Sequence, residues 1–298
     1  MRIGAVLSQA DAGTDADEIR RYATCCEQVG YNHLLAYDHV LGASAEKLGA
    51  GPFGAFPSAP YTNEHTFHEI LVLFSHLAAV TRTLELVTSV LVLPQRQTTV
   101  AAKQIATIDL LSGGRLRLAV GVGWNAVEYG ALGTEFETRT ARLEEQIDVM
   151  RRLWTEPLVT FDGRFHQLDR VGITPLPARP IPVMIGSGAA EPVLRRVVRK
   201  ADGWMPLLAP GLDTTTVADA VVRVRQICEE EGRDPATLPI FGRTYLGGGW
   251  QAAVEQGLAL GCSDFSIGVN RMAHPGLGLG AHLDLLVAAK AEIDTIVR

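Results

Sequence analysis

The 298-residue chain has few cysteines, few aromatic residues and no excess of positive charge. No CxxC or Cys/His zinc spacing occurs, so the thiols are expected to be small buried side chains rather than metal ligands or disulfides. The formal net charge of −6 lacks the basic character of a nucleic-acid binder. No apolar run approaches the ~20 residues that span a bilayer. We therefore expect neither a nucleic-acid partner nor a membrane segment. The four cysteines are Cys25, Cys26, Cys228 and Cys262.

Signals for export and for common catalytic chemistries are also missing. The N-terminal stretch "MRIGAVLSQADAGTD" has no long apolar region followed by a small-residue cleavage site. No HExxH, GxSxG, GxxxxGK or EF-hand pattern occurs, and the eight histidines are scattered. These absences predict a cytoplasmic protein with no metal site.

The segments that are present alternate between strand and helix eight times. The strands are almost continuously apolar, which is typical of parallel strands covered by helices on both faces. This pattern predicts one (β/α)8 TIM barrel over residues 1–298. A doubly wound open sheet is the alternative, but the first strand-to-helix turn lacks the GxGxxG fingerprint. The predicted strands are residues 2–8, 33–37, 84–93, 115–122, 182–186, 201–207, 239–245 and 264–269.

Two irregular segments interrupt the alternation. Residues 42–65, after the second strand, are rich in Gly, Pro, Ala and Ser, and a loop of this length inside a domain is typical of a lid. Residues 155–182, before the fifth strand, contain "VTFDGRFHQL", which predicts a hairpin that turns at Asp162–Gly163.

The active site of such a barrel lies at the carboxyl ends of the strands. Asp38 and His39 end the second strand, and because neighbours on a strand point to opposite sides they need not share a role. Histidine is the usual acid or base near neutral pH, whereas loop capping by Asp38 and a satisfied His39 is the plainer interpretation. The residues alone leave both open. Other side chains expected at this end are Ser8, Gln9, Tyr37, Arg96, Trp204, Arg243, Tyr245, Asn270 and Arg271.

Two glycine-containing turns at the same end are candidate ligand sites. In "MIGSGAAEP" a strand ends, small residues turn and a helix begins, which suits a phosphate group but also fits a plain tight turn. In "GVGWN", Gly121 and Gly123 allow close backbone approach to a flat ligand or to a neighbouring strand, while Trp124 fits a pocket wall or the core. Glu128 fits a catalytic acid, although support of the loop is the favoured interpretation.

Several segments together resemble the luciferase-like flavin and deazaflavin barrels. The matching stretches are "YDHVL", "TSVLVLPQRQTTVAAKQIATIDLLSGGRLRLAVGVGWNAVEYGALG", "RLEEQIDVMRRLW" and "IPVMIGSGAAEPVLRRVVRKADGWMP". The resemblance covers almost the whole chain and is closest to the branch that uses coenzyme F-420 (8-hydroxy-5-deazaflavin). It implies a (β/α)8 barrel, a tricyclic redox cofactor at its mouth and a homodimer.

The resemblance also implies roles for particular residues. Asp38 resembles a residue that contacts the cofactor in that branch. His39 resembles one that contacts the substrate and exchanges the proton that accompanies hydride transfer. In relatives a non-proline cis peptide lies in the third strand, which places one between Ser89 and Val90. The implied cofactor contacts are Asp38, Thr88, Ser89, Val90, Gly121, Gly123 and Asn125, with the phosphate on Gly186, Ser187, Gly188 and Ala189.

One departure bears on the substrate. Similar deazaflavin-dependent sugar-phosphate dehydrogenases carry a glutamate directly after the second glycine of "GVG", where this chain has Trp124. An apolar or aromatic substrate against Trp124, Phe53 and Phe56 is therefore expected. The alternatives are an FMN-dependent monooxygenase supplied by a separate flavin reductase, and a flavin-binding barrel without turnover.

Overall fold

Parallel strands and helices alternate from the first residues to the last. The structure is a computed structural model, and it describes residues 1–48, 61–207, 216–270, 274 and 276–298. The strands are β1 (Arg2–Leu7), β2 (His33–Ala36), β3 (Glu85–Thr88), β4 (Leu91–Val92), β5 (Leu116–Gly121), β6 (Val159–Asp162), β7 (Gln167–Val171), β8 (Val183–Ser187), β9 (Gly203–Pro206), β10 (Phe241–Leu246) and β11 (Asp264–Val269). The helices are α1 (Ala16–Gln28), α2 (Ala45–Leu48), α3 (Ile70–Val80), α4 (Thr98–Leu111), α5 (Ala126–Ala131), α6 (Arg139–Thr155), α7 (Glu191–Lys200), α8 (Val217–Glu230), α9 (Trp250–Ala259) and α10 (Leu279–Val297).

The sheet closes on itself as a barrel. Its strands follow the order β10, β11, β1, β2, β3, β5, β8, β9, and every pair is parallel. The last gap is bridged where the Trp204 N–H donates to the Pro239 carbonyl at 2.9 Å. The predicted (β/α)8 barrel is confirmed, and the open-sheet alternative is wrong.

The inside of the barrel is packed with side chains. Alternate residues of each strand point inward. The inward side chains of neighbouring strands form layers that stack along the barrel axis. The central layer is apolar and consists of Val6, Leu35, Val87, Ala119, Met184, Met205 and Phe241. A larger apolar core lies outside the strands, where the helices bury their inner faces.

The predicted third strand is not continuous. β3 ends at Thr88, the Ser89–Val90 peptide is cis, and β4 begins at Leu91 and pairs with β5. The cis peptide expected from the resemblance is therefore present at the expected bond. The single long strand predicted over 84–93 is wrong at this point.

The two insertions occur where the composition placed them. Before β8, strands β6 and β7 form the predicted antiparallel hairpin. In the first insertion, residues 49–60 lie outside the described residues. In the described part of the chain no helix is long and apolar enough to cross a membrane, and no group of three His, Cys, Asp or Glu side chains gathers as metal ligands.

Candidate functional site

His39 lies in an aromatic cluster at the carboxyl end of the barrel. Its ring stacks on Tyr61, with 3.8 Å between centroids, and meets the edges of Phe67 and Trp124 at 5.0 and 6.2 Å. Its side chain is 16% exposed, so the imidazole is held but still reachable. His39 and Trp124 were both expected at this end of the barrel, whereas Tyr61 and Phe67 were not, because they follow the second strand at a distance and carry no motif.

Glu128 is the buried anion beneath this cluster. Its carboxylate lies 3.5 Å from His39 Nδ1 and accepts hydrogen bonds from the Val40 and Leu41 N–H groups at 2.6 and 3.2 Å. Gln95 Nε2 also donates to it. Burial acts to raise the pKa of Glu128, but the His39 side chain and the Val40 N–H outweigh burial, and the pKa falls below its usual value. Glu128 therefore supports the His39 loop, as the favoured sequence interpretation held.

Asp38 points away from His39. It is 2% exposed, and its two oxygens accept from the Val92 N–H at 2.9 Å and from Arg96 Nη2 at 2.7 Å. Arg96 in turn donates to Glu69 at 2.6 Å. Burial raises the pKa of Asp38 despite these partners. Asp38 therefore links the end of β2 to the segment after the cis peptide by hydrogen bonds. Both of its carboxylate oxygens have partners within the protein.

Val90 follows the cis peptide, and its side chain lies against β5 and β8. A Cβ atom added at Gly186 would lie 2.2 Å from Val90 Cγ1, and one added at Gly121 would lie 2.5 Å from Val90 Cγ2. These distances are far shorter than carbon contacts allow. The two glycines therefore make room for the Val90 side chain where it faces β5 and β8. The sequence left a ligand or a neighbouring strand open for Gly121, and a phosphate or a plain tight turn open for Gly186.

Thr88 and Ser89, the residues before Val90, form hydrogen bonds with other strands. Thr88 Oγ1 donates to the Ala119 carbonyl at 2.7 Å and accepts from the Ala119 N–H at 2.9 Å. Ser89 Oγ donates to Met205 Sδ at 3.2 Å. The Thr88 hydroxyl is consequently occupied by the backbone of β5, while Ser89 lies in the upper part of the barrel interior.

The predicted phosphate turn follows β8. Ser187 Oγ accepts from Trp204 Nε1 at 3.1 Å, whereas no atom lies within 4 Å of a Cβ added at Gly188. Helix α7 begins after Ala190 without a side-chain capping bond. The turn is thus open at Gly188, and the start of α7 has no side-chain cap. The phosphate site at Gly188 and Ala189 stays a prediction.

Asn125 and Gly123 shape the turn after β5. Asn125 Oδ1 caps α5 by accepting from the Val127 and Glu128 N–H groups, and its Nδ2 donates to the Tyr61 hydroxyl at 2.8 Å. Gly123 has φ +63°, a conformation that suits glycine. Asn125 therefore connects this turn to the aromatic cluster. Phe53 and Phe56, the other expected substrate contacts, lie outside the described residues.

A second polar group lies in the mouth, around Arg243. Arg243 and Tyr245 alternate with outward residues on β10, and the hydroxyls of Tyr245 and Tyr37 lie 2.5 Å apart. Arg243 Nη1 donates to Ser89 Oγ at 3.2 Å. The sequence analysis listed these side chains at the strand ends but gave them no role, because their partners are distant in sequence.

A cleft of about 420 Å³ opens at the other end of the barrel. Residues of the α6 carboxyl end and the segment before β8 line it, and Arg151 there pairs with Asp202 at 2.8 Å. Arg152 and Thr155 also line it, but no histidine or cysteine does. The titratable and aromatic side chains instead converge at the mouth, which is the candidate site.

The profile of a family described as luciferase-like monooxygenase matches residues 1–260. An uncharacterized protein of Mycobacterium tuberculosis is 33% identical over 235 residues, which is 76% of this chain and 77% of that protein. An F-420-dependent glucose-6-phosphate dehydrogenase of Intrasporangium calvum is 40% identical over 111 residues, 36% of this chain and 33% of that protein. A solved F-420-dependent secondary alcohol dehydrogenase, in complex with an F-420–acetone adduct, has a TM-score of 0.76 at 17% identity and covers 100% of this chain and 99% of that one.

Proposed function

This chain belongs to the luciferase-like monooxygenase family of oxidoreductases, and from that premise we propose that it uses coenzyme F-420 to transfer a hydride to or from a small, largely apolar organic substrate. The observation that carries the proposal is His39 at the barrel mouth, partly exposed and beside the ionised Glu128. Hydride transfer at a carbonyl or alcohol carbon requires a proton to move at the oxygen, and an imidazole suits that step.

The residues of the mouth fit a flat cofactor with an anionic chain. Val90 and the glycines against it form a small apolar surface, and the open turn at Gly188 leads into the uncapped start of α7. We propose that Ser89 and Val90 contact the ring and that Gly188 and Ala189 hold the phosphate. When bound, the deazaflavin supplies the hydride chemistry, and the protein supplies position and charge.

Asp38 and Asn125 are proposed to act through their neighbours. Asp38 fixes the segment that carries Val90 by its bonds to the Val92 N–H and Arg96. Asn125 donates to Tyr61, on which His39 stacks. Both are thus positioning residues for the cofactor surface and for the imidazole.

The expected substrate follows from the ring cluster. Trp124, Tyr61 and Phe67 surround His39, and they present mostly apolar surface to the position from which His39 would exchange a proton. A small ketone, aldehyde or alcohol with an apolar or aromatic substituent suits these walls. Trp124 stands where the resembling sugar-phosphate dehydrogenases carry glutamate, so a sugar phosphate is not the proposed substrate.

FMN with oxygen is the second candidate, because the family is described by monooxygenase activity. The test is a titration of the purified protein with F-420 and, separately, with FMN, followed by the absorbance of each cofactor. We expect F-420 to bind at least about tenfold more tightly, a difference of about 1.4 kcal/mol. Tight FMN binding without affinity for F-420 would contradict the proposal.

Two expectations about the whole protein are also proposed. The resemblance implies a homodimer, and the cytoplasm is the proposed location. Light scattering and cell fractionation test these two statements independently of catalysis.

A further inference from the structure

Among the described strands, two arginines point into the barrel, and their surroundings differ in charge. Arg117, on β5 near the base, pairs with Asp264 through Nη1 and Nη2 at 2.5 and 3.1 Å. The carboxylate of Glu85 lies 3.4 Å from the same side chain. The charge of Arg117 is therefore fully compensated within the protein.

Arg243 lies above the central layer, on the mouth side. It follows Phe241 by two residues on β10 and so points inward as Phe241 does. Its Nη1 donates to Ser89 Oγ at 3.2 Å and lies 3.5 Å from the Tyr37 hydroxyl. The Tyr37 and Tyr245 rings lie 5.6 and 5.7 Å from its guanidinium carbon.

No described carboxylate comes within 4 Å of Arg243, and its hydrogen-bond partners are hydroxyl groups. Burial raises the pKa of the Tyr37 hydroxyl, so this partner stays neutral at physiological pH. An arginine side chain does not deprotonate in proteins. The half-buried guanidinium therefore carries a charge that these neighbours do not balance.

Burying such a charge costs free energy unless an anionic or hydrogen-bonding partner compensates it. Removing a cation from water is repaid only by close anionic partners or by a full set of hydrogen bonds. Arg117 shows that this barrel provides such partners where the cation has only a structural role. Arg243 instead lies beside Ser89, next to the Val90 surface proposed to contact the cofactor.

We propose that Arg243 binds a negative charge on the ligand in the barrel mouth, a planar anionic group such as a carboxylate or a deprotonated ring. A guanidinium matches that shape with two parallel N–H donors. The inference rests on the proposed function in that the ligand is either the redox cofactor or its substrate. It adds that one of the two presents an anion to Arg243.

The experiment compares wild type, Arg243→Lys and Arg243→Met in two sets of calorimetric titrations. One set uses F-420. The other uses benzoate and its neutral counterpart benzamide, with and without cofactor. If the substrate carries the anion, wild type should prefer benzoate by about tenfold or more, Arg243→Met should lose the preference and Arg243→Lys should keep part of it. If the cofactor carries it, Arg243→Met should weaken F-420 binding by about tenfold without any benzoate preference in wild type.

Thermal unfolding of the ligand-free variants supplies a second measurement. Arg243→Met should unfold at the same temperature as wild type or higher, because it removes an unbalanced charge. Arg117→Met should unfold at a lower temperature, because it leaves the buried Asp264 with Arg2 at 3.8 Å as its remaining arginine partner. Failure of Arg243→Met to fold, or unchanged binding in both titrations, would overturn the inference. If neither F-420 nor FMN binds wild type, the proposed function fails, and the benzoate titration without cofactor still decides the role of Arg243.

Discussion

Asp38 and His39 are adjacent in sequence but contact different parts of the molecule. Asp38 bonds to Val92 and Arg96, whereas His39 stacks on Tyr61 beside Glu128. This divergence was predictable, because successive side chains of an extended segment point to opposite sides. The identity of each partner was not, because those partners lie on other loops. The arrangement separates a structural carboxylate from a reachable imidazole.

His39→Ala tests the proposed acid–base role. We expect kcat to fall by about 10²–10⁴-fold, the usual contribution of a positioned proton donor or acceptor. Cofactor affinity should change little, because the proposed cofactor contacts lie on other segments. Stopped-flow hydride transfer and cofactor titration measure the two effects. His76→Ala, an exposed histidine on α3, is the matched control. Equal losses in both measurements would make His39 a cofactor ligand.

Glu128→Gln tests the support beneath His39. The charged carboxylate accepts from two backbone N–H groups and from Gln95, so its loss should cost about 2 kcal/mol of unfolding free energy at pH 7. The pKa of Glu128 is lowered below 4.5 in the folded protein. Its contribution is therefore complete above pH 4.5 and is lost as pH falls through the folded pKa.

Denaturant titrations of wild type and Glu128→Gln across pH 3–7 measure this difference. The gap between the two proteins should narrow in acid. The exposed Glu135→Gln should show no gap at any pH. A constant gap would mean that the charge of Glu128 does not contribute.

At the scale of an element, β5 and β8 each have a glycine, Gly121 and Gly186, at the position that faces Val90. Gly186→Ala should lower the unfolding free energy by about 1–3 kcal/mol, because its Cβ would lie 2.2 Å from Val90 Cγ1. Adding Val90→Ala should recover part of that loss in chemical denaturation. If the double variant is no more stable than Gly186→Ala, the Val90 contact is not the cause.

A substitution at Gly188 tests ligand binding in this turn without disturbing the packing around it. A Cβ atom there has open space, so Gly188→Ala should change stability by less than about 0.5 kcal/mol. If the turn holds the cofactor phosphate, this variant should weaken cofactor binding, because the added methyl group occupies the surface proposed for the anion. Unchanged affinity would place the phosphate elsewhere.

At the scale of the whole molecule, the buried His33 at the base of the barrel should make the stability of the fold depend on pH. His33 is fully buried, bonds to Ser266 Oγ at 2.8 Å and lies beside the Arg117–Asp264 pair. Burial lowers the pKa of His33 from 6.5 to about 3. The unfolded chain therefore takes up a proton that the folded barrel excludes, and stability should fall as pH decreases from 6.5 toward 3.

His33→Gln removes this titration while retaining an amide that reaches Ser266. We expect its unfolding free energy to decline less steeply than that of wild type between pH 6.5 and 4, measured by urea titration. Parallel declines would show that other groups account for the acid sensitivity.

The proposed homodimer is also a property of the whole molecule. Multi-angle light scattering of the purified protein should give twice the 32.1 kDa mass of the chain. A mass of one chain at micromolar concentration would contradict it.

The sequence by itself favoured the barrel over an open sheet. Eight apolar strands that alternate with amphipathic helices fit a closed parallel sheet, and the missing GxGxxG fingerprint argued against the open one. The resemblance added the bond between Ser89 and Val90, and local glycine content indicated both insertions and the turn at Gly188.

Only the tertiary structure decided which side chains meet. Glu128 and Val40 are 88 residues apart, and Arg243 and Ser89 are 154 apart, so no local pattern connects them. Sequence also could not distinguish a glycine that approaches a ligand from Gly186, which makes room for Val90. The physical reason is that periodicity reports how a segment buries one face, whereas a site is made where several strand ends converge.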